Sequence, residues 1–288
     1  MSKWSGKSKG SVLGYRIFLS VIKIFGLPST YFLLKTVTYF YYKFDTKSRN
    51  SIEEFYLKRL KFDIKKTKKI TRENFFYFGQ TLVDRAAFLI GKGNKFTFDF
   101  NNEQCLIDLR NEGKGGILLS GHVGNWETAG NLLTSRITST INVLMLDEEE
   151  KKIKKYLEVT TGGSKFNIIP IKNDLSHVIK IHNALSNNEF VAIHADRYIE
   201  GAKFIELDFF GKKAKFPLGP FIVASKFKAP VTFVFAVKEK KYHYLLSATT
   251  PIKDKQTPEE IAKKFVKEFE NKILAHPEQW FNYFDFYK

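Results

Sequence analysis

At 288 residues, with 43% hydrophobic and 27% charged residues, the chain is long enough for one large domain and too apolar for a disordered one. Its formal net charge is +17, accompanied by 29 Phe and 13 Tyr. Lys, Phe, Ile, Asn and Tyr are enriched together, as A/T-rich coding produces by itself, so the charge alone does not choose between an anionic membrane surface and nucleic acid. A single cysteine, Cys105, excludes an internal disulfide, and no Cys/His spacing of a metal site occurs.

Behind Lys3, Lys7 and Lys9, residues 12–44 form a nearly uninterrupted apolar and aromatic run, broken at Gly26-Leu27-Pro28. Each half is shorter than the roughly 20 residues a spanning helix needs, and Pro28 caps or kinks rather than extends the first half. The run predicts two apolar helices dipping into one leaflet, with a single tilted span and a pair of buried core helices as the alternatives. No small-residue cleavage site closes the stretch, so no cleavable leader is expected. The basic flank of Lys58, Arg59, Lys61, Lys65, Lys66, Lys68 and Lys69 suits anionic lipid, at about 1 kcal/mol per side chain near the surface. Residues 1–70 are thus expected to be a membrane-associating helical region, and 71–288 an α/β domain.

In that domain, Phe75, Phe78, Leu82, Ala86 and Leu89 recur at helical spacing between Thr71 and Gly91. Gly116 to Ser120 reads as a buried strand, followed by a Gly-containing turn and a helix from about Trp126. Ile141 to Leu146 is a second strand, and Asp147 to Glu150 open a Lys-rich helix closed by Gly162-Gly163. Phe166 to Ile171 is a strand, Asp174 caps the next helix, and Phe190 to His194 is a further strand. Residues 195–217 look irregular. A short helix from Gly219 to Phe227 leads to strands at 231–237 and 242–249, and a last helix begins at Pro258. Strands alternating with helices predict an α/β fold with a largely parallel central sheet flanked by helices.

The informative stretch is Ser120-Gly121-His122-Val123-Gly124-Asn125-Trp126-Glu127. A His and an acid five positions apart mean little alone, but here they sit where a buried strand gives way to a helix, a usual place for a site in an α/β sheet. Gly121 and Gly124 are expected to leave room for substrate. Moving an acyl group from a thioester to an alcohol requires taking a proton from a hydroxyl whose pKa lies far above 7, and a neutral imidazole is suited to it. A carboxylate one helical turn away would hold the ring. The competing reading makes His122 a structural histidine and Glu127 a solvated helix residue.

The segment Gly121 to Glu127 resembles the His-x4-Glu block of the lipid A late acyltransferase family. The likeness continues through Asp196-Arg197, Gly201, Phe209-Phe210-Gly211, Ala214, Gly219-Pro220 and Pro230-Val231, and covers the chain from about Trp4 to its aromatic end. The resemblance implies a glycerolipid acyltransferase-like fold with an apolar N-terminal anchor, on the cytoplasmic face of the cell inner membrane. It implies His122 and Glu127 as the catalytic dyad and an acyl carrier protein or coenzyme A thioester as donor substrate, with no bound cofactor. The acceptor would be a lipid hydroxyl such as that of a lipid A precursor. The final block, Trp280 to Phe286, resembles that of members from the Bacteroidetes, in which the acceptor need not be a lipid A precursor and aminolipids or pigment lipids enter.

Asn125, Asp196, Arg197 and Gly219 are the expected substrate-binding residues. Arg197 either meets a phosphate or a developing oxyanion, or pairs with Asp196 or Glu200; Asn125 either donates near the carbonyl or caps the following helix. Lys212, Lys213 and Lys215 either receive the acidic carrier protein or form a solvated face. His194 reads as structural with a site-lining role left open, and His177 and His182 face different directions on their helix. The Phe-rich strands either line an acyl tunnel or pack as ordinary core. A nucleic-acid binder lacks a recognisable motif here, so nucleic acid is not an expected partner. No Gly-x-Ser-x-Gly elbow supports a serine hydrolase.

Overall fold

The computed structural model describes residues 12–145, 166–171, 174 and 176–287. The helix expected to open at Asp147 and close at Gly162-Gly163 lies outside these residues, as do Lys3, Lys7 and Lys9. Helix α1 (Val12–Phe44) carries the apolar run and bends at Gly26, whose φ of 77° and ψ of −179° leave the helical region two residues before Pro28. The predicted break is therefore a kink joining two helical pieces. One face of α1 buries Leu19, Ile22, Leu27, Tyr31 and Leu34 against helix α3 (Ile64–Leu89) and the sheet, while Ile24, Phe25, Phe32, Phe40 and Phe44 point outward. Gly79 of α3 permits the close approach, since a Cβ there would lie 2.7 Å from Leu34 Cδ1.

Two aspartates divide the basic flank into helices. Asp45 accepts the Ser48 N–H to start α2 (Thr46–Lys58), and Asp63 accepts the Lys66 N–H at 2.8 Å to start α3. Helix α3 thus begins seven residues earlier than the periodicity of its apolar face suggested, because a Lys-rich first turn is solvated and carries no apolar signal.

The described strands are β1 (Thr97–Asn101), β2 (Gly116–Ser120), β3 (Ile141–Met145), β4 (Asn167–Pro170), β5 (Phe190–His194), β6 (Phe204–Phe209), β7 (Lys212–Pro217), β8 (Val231–Lys240) and β9 (His243–Ala248). Seven form one sheet in the order β1-β9-β8-β2-β5-β3-β4, parallel at every junction except β8–β9. The expected largely parallel α/β architecture is present. Residues 204–217, read as irregular, instead form the separate β6–β7 hairpin, whose turn places Phe210 at φ 48° and Gly211 at φ 72°.

Helices α4 (Gln104–Asn111) and α5 (Trp126–Ile137) contribute to one hydrophobic cluster with the sheet. Helices α6 (Ser176–Ser186), α7 (Leu218–Lys226) and α8 (Pro258–Ala275) contribute to another. Helix α8 opens with a full capping box, Thr257 and Glu260 exchanging hydrogen bonds, and Pro258 in its first turn. Its buried Phe265 and Phe269 pack against Phe209, Phe233, Phe235 and Trp280, stacked on Phe209 and Phe235 and edge-on to Phe233 and Trp280, which puts much of the phenylalanine excess in the core. Phe269→Ala is expected to cost about 3–5 kcal/mol of stability, measured by denaturant unfolding, because the ring is fully enclosed and its loss leaves a cavity.

Candidate active site

The site follows from the pairing of two neighbouring parallel strands. Ser120 ends β2, His194 ends β5, and the register places these two residues opposite one another. Two residues beyond each strand end stand His122 and Asp196. The Asp196 carboxylate, 1% exposed, accepts the His122 ring Nδ1–H at 2.7 Å through Oδ1 and the His122 backbone N–H at 3.0 Å through Oδ2. One carboxylate therefore fixes both the ring and the backbone that carries it. With Nδ1 as donor, Nε2 is the basic atom.

The electrostatics keep that imidazole neutral. Burial pushes the His122 pKa below the ordinary value of 6.5, the Arg197 cation pushes it the same way, and Asp196 opposes both. Burial pushes Asp196 up, but its interaction and hydrogen bond with His122, and then the Arg197 cation, hold it well below the usual carboxylate range. At neutral pH the pair is an ionised aspartate against a neutral histidine.

The loop carrying His122 is held from behind by the C-terminal segment. Gly124 N–H donates to Gln279 C=O at 2.9 Å, Phe281 N–H donates to His122 C=O at 3.2 Å, and Val123 bridges Trp280. The two loop glycines do not make room for substrate, as their position in the sequence suggested. A Cβ on Gly121 would meet the Phe269 ring at 2.4 Å, and one on Gly124, at φ 70°, would meet Ala236 O at 1.8 Å. Both spaces are filled by protein.

Glu127 lies in the first turn of α5 and pairs with Arg85 of α3 at 2.6 Å. The carboxylate at the His122 ring is thus Asp196, 74 residues away in sequence, which sequence spacing alone does not reveal. Arg197 donates from Nη2 to Phe281 C=O at 2.7 Å and lies over the Phe284 ring, so it ties the C-terminal segment to the β5 side of the site. Asn125 is buried and donates to Tyr244 Oη and to Thr81 C=O. Gly219 stands in the first turn of α7 with open space around its Cα, and none of the described contacts of His122 involves it.

His194 joins the site. Its ring stacks on that of His122, with centroids 4.3 Å apart, and meets Trp126 edge-on at 5.0 Å. The signal that could have found it is the β2–β5 register. His122, His194 and Asp196 also bring ligand atoms within 4.8 Å of one another, a grouping able to hold a metal ion. The chemistry of the neutral His122–Asp196 pair does not require one.

From Ser120, His194 and Trp126 a narrow cavity of about 60 Å³ runs between the sheet and α5, lined by Leu118, Ala192, Val234, Phe100 and other apolar side chains. The cavity reaches the site through His194, whose ring stacks on that of His122, and its apolar lining suits hydrocarbon.

Residues 9–285 match the family of bacterial lipid A biosynthesis acyltransferases. The chain belongs to that family. It is also similar to the phosphatidylinositol mannoside acyltransferases of two strains of Mycobacterium tuberculosis, each 27% identical over 109 residues. That similarity covers 38% of this chain and 34% of each relative, so the chain spans about a third of the length of the curated relatives it matches. Within a family of acyltransferases, the paired strand ends, the oriented His122 and the apolar cavity beside His194 are the parts from which a base and an acyl site can be built.

Two measurements bear on the pair. The His122 pKa lies below 6.5, so an activity that uses its neutral ring is expected to show kcat/KM flat near pH 7, falling only on an acid limb below that value. Asp196→Asn is expected to lower kcat by about 10²- to 10⁴-fold, through loss of the ring's tautomer and orientation. It is also expected to shift the acid limb further down, since the lost charge had raised the His122 pKa.

Proposed function

We propose that the protein is a membrane-associated O-acyltransferase that moves a fatty acyl group from an acyl carrier protein or coenzyme A thioester to a hydroxyl of a lipid acceptor. The observation that carries this reading is the neutral His122, held by Asp196 and stacked on His194, which lines an apolar cavity. The acceptor hydroxyl attacks the thioester carbonyl carbon while His122 Nε2 takes its proton. The imidazolium that forms is stabilised by Asp196, and the tetrahedral intermediate collapses by expelling the thiolate, to which His122 returns the proton. Asp196 and Arg197 thus position the site rather than bind substrate. Glu127, paired with Arg85, steadies the first turn of α5 and with it Trp126 over the slot.

A lipid A precursor is the acceptor that family membership favours. The similarity to phosphatidylinositol mannoside acyltransferases supports a second reading, a sugar-bearing phospholipid, and an aminolipid or pigment lipid fits the same chemistry. Exposed Lys212 and Lys213 on β7 offer a basic edge to the acidic carrier protein.

Membrane attachment rests on α1. The helix is long and apolar enough to cross a bilayer by length and composition, and its sequence is apolar all round. Only one face is used by the fold; Phe32, 76% exposed, and Phe25, 67% exposed, stand on the other. Because the inner face is packed on α3 and the sheet, α1 lies along one leaflet, and the proposed location is the cytoplasmic face of the inner membrane.

The direct test is acyl transfer from labelled acyl carrier protein into lipid extract, with products read by mass spectrometry. His122→Ala is expected to lose about 10²- to 10⁴-fold in rate, and Glu127→Gln to lose less than Asp196→Asn. Full activity in His122→Ala would overturn the reading. A Phe25→Glu/Phe32→Glu protein is expected to release from anionic vesicles in a sedimentation assay while its melting temperature is unchanged.

A further inference from the structure

Between α1, α3 and the β8–β9 hairpin lies a group of polar side chains enclosed on all sides. Asp84 of α3 and Lys238 of β8, 0% and 4% exposed, form an ion pair. Asp84 also accepts hydrogen bonds from the hydroxyls of Tyr31 on α1 and Tyr244 on β9, and Lys238 Nζ donates to the Tyr31 hydroxyl at 2.7 Å. Taking two charges out of water is costly, and well-packed apolar residues in their place are often neutral or stabilising, so folding stability alone does not account for such a pair. What a buried ion pair does supply is geometry, because each member tolerates few arrangements.

The connections show where that geometry is delivered. The Tyr244 hydroxyl accepts from Asn125 Nδ2 at 3.2 Å, and Asn125 follows His122 by three residues in the same loop. Asn125 Nδ2 also reaches Thr81 C=O, one turn before Asp84 on α3. Lys238 exchanges two backbone hydrogen bonds with the Gln279 side chain, at 2.7 and 2.9 Å, and Gln279 C=O receives the Gly124 N–H. Beside Asp84, Arg85 holds Glu127. A single turn of α3 thus grips the anchor helix through Tyr31 on one side and both ends of the 124–127 segment on the other.

We propose that Tyr31, Asp84, Lys238 and Tyr244 are positioning residues that transmit the seating of α1 on α3 to the loop bearing His122, so that turnover depends on the anchor helix being docked. This inference rests on the acyl-transfer reading for its kinetic arm, and on the structure alone for its exchange arm. None of the four touches the reacting atoms; they act through Asn125, Gly124 and Glu127.

The test uses the full chain bound to anionic vesicles, as wild type, Tyr31→Phe and the double variant Asp84→Leu/Lys238→Met. Melting temperature, vesicle binding, kcat and KM are measured, together with hydrogen exchange of the peptide covering residues 121–127. Both variants are expected to remain folded and vesicle-bound with KM within twofold of wild type. Their kcat is expected to fall about tenfold or more in the double variant and severalfold in Tyr31→Phe, with faster exchange across 121–127 in both. A folded variant with wild-type kcat and wild-type exchange would overturn the proposal and leave the cluster as packing. If the double variant does not fold, Tyr31→Phe, which removes one hydroxyl and keeps the ion pair, decides alone. If wild type transfers no acyl group, the functional reading fails, and the exchange arm still decides whether the cluster holds the loop.

Discussion

A histidine can take a proton from an alcohol only if it is neutral and aimed, and burial supplies the first condition at the expense of the second unless something holds the ring. Here Asp196 does so, and it is available because β2 and β5 are adjacent, parallel and in register, ending together at Ser120 and His194. The rest of the site depends on this junction. The C-terminal segment pins the loop through Gln279 and Phe281, Arg197 ties that segment back to the β5 side, and α5 springs from the loop to cover the slot. A shift of β5 by one residue against β2 would turn the β5 side chains, His194 among them, to the opposite face and carry Asp196 out of register with His122.

The aromatic excess and the basic charge have different destinations. Phe209, Phe216, Phe265, Phe269, Trp280 and Phe286 form an interlocked cluster under one face of the sheet, and Phe269 fills the space that Gly121 leaves directly behind the loop bearing His122. Packing therefore accounts for these rings. Of the basic flank, Lys58 ends α2, Arg59 and Lys61 lie between the helices, and Lys65, Lys66, Lys68 and Lys69 lie in the first turns of α3.

Much of the fold was legible from local pattern. The apolar runs at 116–120 and 190–194 coincide with β2 and β5, Trp126 opens α5, and Pro258 opens α8 behind its Thr257 cap. The β6–β7 hairpin was not read, although Leu207, Phe209, Ala214 and Phe216 alternate with charged residues around Phe210-Gly211, because the lysines masked the period-2 signal. Of the site, His122 was legible from its place between strand and helix, whereas the partner of its ring was not. Nearness in sequence favoured Glu127, but the first turn of α5 carries that side chain to Arg85 of α3. Asp196 and His194 come to His122 only through long-range strand pairing, which single-sequence periodicity does not encode. The loop glycines misled for a similar reason: the atoms that fill their space, from Phe269 and Ala236, are distant in the chain.

Nitrogen-15 NMR of the labelled imidazole tests whether His122 is a neutral ring whose Nδ1–H is held by Asp196. The Nδ1–H tautomer at neutral pH, a titration midpoint below 6.5, and loss of that single tautomer in Asp196→Asn are expected. A ring that carries its proton on Nε2 at neutral pH, or that titrates above 6.5, would contradict that assignment.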